Sequence, residues 1–375
     1  MLFGFEQNNF SDYIVRRNNL IKNIKQLYPD EQDALILLFG GFEPGPLSFY
    51  QEHTFYYLTG ITEPGLALVI DMTGRSILYV PTDIKKRALW VAVSSSLTSK
   101  DAQRLGFDEI IEVEGSCQGP FFSAKKYEKL REQLASIVQK KGKLFTLNPD
   151  NPAEYIDQRV AIGQLSSLIS GAQSSIVDIS PIIAQMRRKK DMREIEQLYK
   201  AIEITIIAHE AAAQTIKNDV IESKVQANLE YIMTSLYASP AFSSIVASGN
   251  NGTVLHYTTH NSKMHDGDLV VVDIGARYNY YCADLTRTYP VSGKFTKRQR
   301  ELYDIVLDTQ EYIESIAKPG YWLKNEKQQE KSLHHLACAF LKERGYDQYF
   351  LHNIGHYLGL DVHDVGSYET PLQEG

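Results

Sequence analysis

The chain has 375 residues, 43% hydrophobic and 23% charged, a globular composition that excludes a disordered class and suits two or three domains. Its net charge of -7 and pI near 5.8 argue against a nucleic-acid partner or an anionic membrane surface, since either favours a basic face. Cys117, Cys282 and Cys338 are odd in number, far apart and in no Cys-x-x-Cys pattern, which argues against a disulfide framework or a thiolate zinc site and points to a reducing compartment. Met1-Leu2-Phe3-Gly4-Phe5-Glu6 has neither the basic nor the long apolar region of a secretory signal, and no apolar run reaches about eighteen residues. A cytoplasmic protein is expected.

A first helix is predicted from Ser11 to Leu27, stopped by Tyr28-Pro29. Ala34 to Phe39 reads as a buried strand, Gly40 to Pro46 as a loop, and Thr54 to Leu58 as a strand. Leu66 to Ile70 and Ser76 to Val80 form a hairpin across Asp71-Met72-Thr73-Gly74. A short helix capped by Thr98 or Ser99 ends at Gly106, followed by a strand over Ile110 to Val113, an amphipathic helix over Ser123 to Gln139 and a strand over Leu144 to Leu147. Helices alternating with short buried strands indicate an α/β layer domain. Glu52-His53 and Asp83 are isolated and read as turn caps or exposed polar residues. Residues 1–172 are therefore expected to form a supporting domain, with a second domain over 178–375.

The second domain opens on Arg187-Arg188-Lys189-Lys190, read as a solvated face. Asp191 and Glu194 fit a capping box, and a stripe from Ile195 to Ala213 continues one helix. A further helix is predicted over Ser223 to Leu236, and Gly249-Asn250-Asn251-Gly252 reads as a turn. Thr253 to His260 follows as a strand carrying His256 and His260. Helices are also predicted over Lys297 to Ile316 and Ser332 to Lys342.

Between these helices and the histidines lies the stretch that organises the domain. Val270-Val271-Val272-Asp273 reads as a strand ending in a carboxylate, covered on both faces because it is apolar throughout. A tight turn on Tyr278-Asn279 would set Asp273 directly opposite Asp284 on the returning strand. Facing like charges destabilise a sheet unless a shared proton or a divalent cation offsets them. Near the end of the sequence, His352, His356 and His363 fall within a segment broken by Gly355 and Gly359, too rich in glycine for a helix and suited to ligation or proton transfer.

Val272-Asp273-Ile274-Gly275, Ala283-Asp284-Leu285-Thr286-Arg287-Thr288 and Gly355-His356-Tyr357-Leu358-Gly359-Leu360-Asp361-Val362-His363-Asp364 strongly resemble the metal-site motifs of the Xaa-Pro aminopeptidases, which belong to the pita-bread metallopeptidases. Ser248-Gly249-Asn250-Asn251-Gly252, Leu255-His256-Tyr257, Phe55-Tyr56-Tyr57-Leu58-Thr59-Gly60-Ile61 and Glu63-Pro64-Gly65 extend the likeness over most of the chain. The resemblance implies an α/β amino-terminal domain followed by an α+β pita-bread domain. It implies a dinuclear site, usually manganese, bridged by a water or hydroxide that attacks the carbonyl of an Xaa-Pro bond in a peptide with proline in second position. Asp273 would bind one metal, Asp284 bridge both and His356 bind the second, while His256, His352 and His363 match the histidines on the substrate side.

The family's site is completed by two glutamates on strands following the segment that matches Tyr368 to Gly375, where this sequence ends. The catalytic fold is accordingly expected to be incomplete, with its last strands missing. Three side chains carrying about -2 against the +4 of two dications lead to the expectation of at most one weakly bound metal. An exposed sheet edge, and self-association through it, is expected as well. The alternatives are a prolidase, which shares the site but cleaves dipeptides, and a catalytically dead relative serving as a binding module.

Overall fold

The computed structural model describes residues 10–44, 49–83, 87, 89–91, 97–151 and 153–375. The expected leaderless segment Met1 to Glu6, and Gly45-Pro46 of the predicted loop, lie outside them. Packing divides the chain into two units, Met1–Met186 and Arg187–Gly375. The division falls later than the expected 172–178. Strand Ile176–Asp178 pairs in parallel with Leu144–Thr146, and Ile179 and Ile183 behind it are fully buried, so this stretch stays with the first unit.

The first unit is built on a six-stranded mixed sheet of β1 (Leu35–Phe39), β2 (Ala67–Asp71), β3 (Ser76–Pro81), β4 (Glu109–Val113), β5 (Leu144–Thr146) and β6 (Ile176–Asp178), in the order β4-β3-β2-β1-β5-β6. The all-apolar β1 is buried at every residue, as a strand covered on both faces must be. The predicted strand Thr54 to Leu58 is instead a helix, His53–Thr59. The Glu52 carboxylate accepts from the amides of Thr54 and Phe55 at 2.8 and 2.7 Å, and Gly60 closes the helix at φ 67°. Two caps override the strand preference of Phe55-Tyr56-Tyr57. Glu52 is thus a local cap, whereas Asp83 accepts from the Cys117 amide, 34 residues along the chain, at 3.0 Å.

The second unit begins with helix Met192–Thr215, whose capping box closes with Asp191 accepting from the Glu194 amide at 2.9 Å and Glu194 from the Asp191 amide at 3.1 Å. This helix and Glu222–Ser235 pack on a sheet of β8 (Ile245–Ser248), β9 (Leu269–Ile274) and β12 (Leu285–Pro290), in the order β12-β9-β8. The core joins Ile204, Ala208, Leu229 and Met233 to Val270, Val272 and Ile274. Burial along β9 alternates, with Val270, Val272 and Ile274 inside and Leu269, Val271 and Asp273 partly exposed. The expectation of cover on both faces is therefore corrected: the helices cover one face, and Asp273 lies on the other. A second sheet, β7 (Ser239–Pro240), β10 (Ala276–Tyr278) and β11 (Tyr281–Cys282), continues the ribbon.

Candidate metal centre

The turn between β10 and β11 sits on Asn279-Tyr280, both at positive φ (45° and 75°), one residue beyond the predicted position. That conformation twists with the strands and is accessible to asparagine. The register moves by two, so Asp273 faces Thr286 and not Asp284. A shift of two preserves the face of every side chain. Asp273 and Asp284 are therefore diagonal neighbours on one surface, still close enough to interact both by charge and through a side-chain hydrogen bond. Gly275 makes room for this approach: a Cβ there would fall 1.8 Å from the Ala283 carbonyl oxygen.

Burial pushes the Asp273 carboxyl up, and Asp284 pushes it further, while the Thr286 hydroxyl, donating to Oδ1 at 2.7 Å, favours the anion. The His356 Nε2 stands 3.0 Å from Asp284 Oδ2, and its Nδ1 lies 3.0 Å from the Tyr357 carbonyl. The carbonyl only accepts, so Nδ1 donates to it. The bond to Asp284 raises the imidazole's pKa above its ordinary value, against the opposing effect of burial.

The loop presenting His356 is fastened to the ribbon through its backbone, with the Cys282 amide donating to Gly359 O at 2.8 Å. Arg187 bonds Asp361 and Asp364 at 2.7 and 2.6 Å, and Lys190 reaches Asp364 at 3.2 Å. Arg187 and Arg188 are only 2% and 8% exposed, which corrects the reading of this basic run as a solvated face. The downstream aspartates, distant in sequence, supply the counter-charge that lets Arg187 be buried, while Arg188 donates to the Thr370 hydroxyl and the Pro371 carbonyl.

Of the remaining predicted site residues, His363 stacks on His356 with ring centroids 4.1 Å apart and planes 13° from parallel. His256 is exposed on an irregular segment, near enough for its positive form to favour the Asp273 anion. The strand predicted over Thr253 to His260 is not formed; a 3-10 turn, Gly249–Thr253, leads into irregular backbone, and His260 is buried at φ 52° with its Nε2 accepting from the Val246 amide at 3.4 Å. His352 packs on Phe350, centroids 5.2 Å apart, with Nδ1 2.7 Å from the Asn353 carbonyl. Sequence reasoning missed Thr286, although its place two residues after Asp284 puts it on the same strand face. It also missed Glu222, whose position at a helix start carries no distinguishing signal.

Among the described residues no group of three or more His, Cys, Asp or Glu side chains is spaced to hold a metal ion. The donor chemistry nevertheless fits one. The residues that would hold it are Asp273, Asp284 and His356, with His356 Nε2 3.0 Å from Asp284 Oδ2. Carboxylates with one imidazole suit a hard to borderline dication, and Nδ1 is already tied to the Tyr357 carbonyl, so Nε2 is the nitrogen that would ligate one.

Residues 196–375 match metallopeptidase family M24, and residues 13–115 match the aminopeptidase P N-terminal domain. Xaa-Pro aminopeptidase of Escherichia coli is 31% identical over 344 residues, covering 85% of this chain and 74% of that protein. The chain belongs to metallopeptidase family M24. Xaa-Pro dipeptidase of Pyrococcus furiosus is 40% identical over a shorter stretch of 202 residues, 52% of this chain and 56% of the relative. Zinc-substituted E. coli aminopeptidase P in complex with product superposes with a TM-score of 0.75 at 27% identity, over 96% of this chain and 82% of that one. The M24 chain is thus a hydrolase, a metal-dependent aminopeptidase with an α/β amino-terminal domain and a pita-bread catalytic fold, as the motifs implied.

Proposed function

We propose that the chain removes the amino-terminal residue from peptides with proline in second position, and that Asp273, Asp284 and His356 hold the divalent metal, most readily manganese. The observation carrying this reading is the meeting of Asp273, Asp284 and His356 on one half-exposed face, with Asp284 and His356 in direct contact. When bound, a dication supplies Lewis acidity and lowers the pKa of a ligated water. The chain's own residues then have separable tasks. Thr286 fixes the Asp273 carboxylate. The Tyr357 carbonyl holds the His356 ring so that Nε2 faces Asp284. In this reading His256 and His363 donate hydrogen bonds to oxygen as negative charge develops and pass a proton to the departing proline nitrogen. His352 completes the substrate side in this reading, after its ring leaves Phe350.

Three free cysteines support a reducing compartment, which we infer to be the cytoplasm, and among the described residues no helix is long and apolar enough to cross a membrane. Self-association through the edges of the β12-β9-β8 sheet belongs to the same reading. The decisive assay offers Xaa-Pro-Yaa tripeptides, Xaa-Pro dipeptides and Xaa-Ala-Yaa controls with manganese and with chelator. Hydrolysis confined to the proline-containing tripeptides, lost with chelator and in His356→Ala, is expected. Preference for the dipeptides would select the dipeptidase, and chelator-resistant cleavage would refute the metal assignment.

A further inference from the structure

Glu222 opens the helix Glu222–Ser235, and its side chain is fully buried, 0% exposed. Its Oε1 accepts from the Ser248 amide at 2.8 Å, the Ser248 hydroxyl at 2.7 Å and Asn251 Nδ2 at 3.0 Å. Its Oε2 accepts from the Tyr257 hydroxyl at 2.8 Å and the Ser262 amide at 3.1 Å. The helix end holds the same segment through its backbone as well: the amides of Glu222 and Ser223 donate to the carbonyls of Ser262 and His260 at 3.0 and 3.1 Å.

A buried carboxylate is costly unless its lone pairs are bonded. Burial alone would push this carboxyl up; the bonds from Asn251, Ser248 and Tyr257 outweigh it and leave the pKa lowered, so the group is an anion. All five donors come from residues 248–262, and the segment between the Asn251 and Tyr257 anchors carries His256. That histidine is exposed, preceded by Val254 and Leu255 at 53% and 61% exposure, and no ladder of backbone bonds holds it.

We infer that Glu222 is a positioning residue for His256: one buried carboxylate gathers both flanks of an otherwise irregular loop and so fixes where the exposed imidazole stands relative to Asp273 and Asp284. The inference rests on the reading above, in which His256 serves the scissile bond. Its physical content is that a displacement of about 1 Å in a catalytic group costs about a hundredfold in rate, and that beyond the short 3-10 turn Gly249–Thr253 the loop carries no regular structure to prevent it.

The test uses Glu222→Gln, which places an amide donor among five donors, and Tyr257→Phe, which removes the hydroxyl that bonds Glu222 at 2.8 Å and reaches Asn261 at 3.4 Å and carries the test if Glu222→Gln does not fold. Each is assayed for kcat on an Xaa-Pro-Yaa peptide with manganese, alone and in a His256→Ala background, and for amide hydrogen exchange across residues 249–262. Faster exchange is expected there, with kcat lower by about 100-fold and about 10-fold respectively, and no further loss once His256 is absent. Unchanged exchange overturns the inference. So does a loss of kcat that is the same with and without His256, because the carboxylate would then support the fold alone. A His256→Ala enzyme of undiminished activity would instead overturn the reading of His256 on which the inference stands.

Discussion

Thr286 shows how one hydroxyl bears on the whole centre. It faces Asp273 across the β9–β12 ladder and donates to Oδ1 at 2.7 Å, orienting a carboxylate that is proposed above to bind metal. Thr286→Val keeps the shape and removes the donor. Hydrogen-bond partners of metal ligands are typically worth 10- to 100-fold in affinity, so manganese binding by titration calorimetry should weaken by at least about tenfold with the fold intact. Equal affinity in the two proteins would mean that Asp273 is oriented by the strand alone. At this scale the sequence was partly legible. Asp273, Asp284 and His356 stood out because carboxylates after a valine run and a histidine among glycines are chemically conspicuous. Glu222 did not, because a glutamate in a first helical turn is common whether it is solvated or buried.

At the scale of elements, the ribbon from β9 to β12 depends on Gly275. Its neighbour across the ribbon is the Ala283 carbonyl, which an alanine Cβ would meet at 1.8 Å, and the obstruction is backbone that cannot rotate away. Gly275→Ala should cost several kcal/mol, of order 3 or more, read as a lower urea midpoint, and should separate the two carboxylates. A variant within about 0.5 kcal/mol of the parent would show that the ribbon yields easily. Helices with matching end signals were the most legible elements: Lys297–Ile316 lies where its spacing placed it, with Thr296 and Gln299 closing a capping box at its start. His53–Thr59 was misread because three consecutive aromatics outweighed, on propensity, two caps that only the folded backbone reveals. The segment after Gly252 was misread for a related reason. Its alternation suits a strand, but a carboxylate from another helix draws its ends together, and an extended strand cannot fold back in that way.

Across the second unit as a whole, the first residue is tied to the last loop. Arg187 reaches residues 174 and 177 positions away, and both it and Asp364 have almost no side-chain exposure, 3% and 1%. Removing one partner from a buried ion pair typically costs about 3–5 kcal/mol, because the other charge stays buried. Arg187→Ala should destabilise the fold by that amount, read as a lower denaturation midpoint, and also weaken manganese binding, since the loop holding Asp364 also presents His356. Loss of stability with unaltered metal binding would separate the two roles. No local pattern could have disclosed this contact, because a run of four basic residues looks the same whether its counter-charges are ions in solvent or aspartates far along the chain.

The two-residue shift of register that the Asn279-Tyr280 turn imposes carries an evolutionary consequence. Side chains alternate strictly along a strand, so lengthening or trimming the ribbon between Asp273 and Asp284 by an even number of residues leaves both acids on the open surface. A single insertion or deletion turns one of them into the helix-covered hydrocarbon interior. Among descendants of this gene, viable length changes in the hairpin should therefore occur in pairs, and odd ones should survive only where a bulge restores the count.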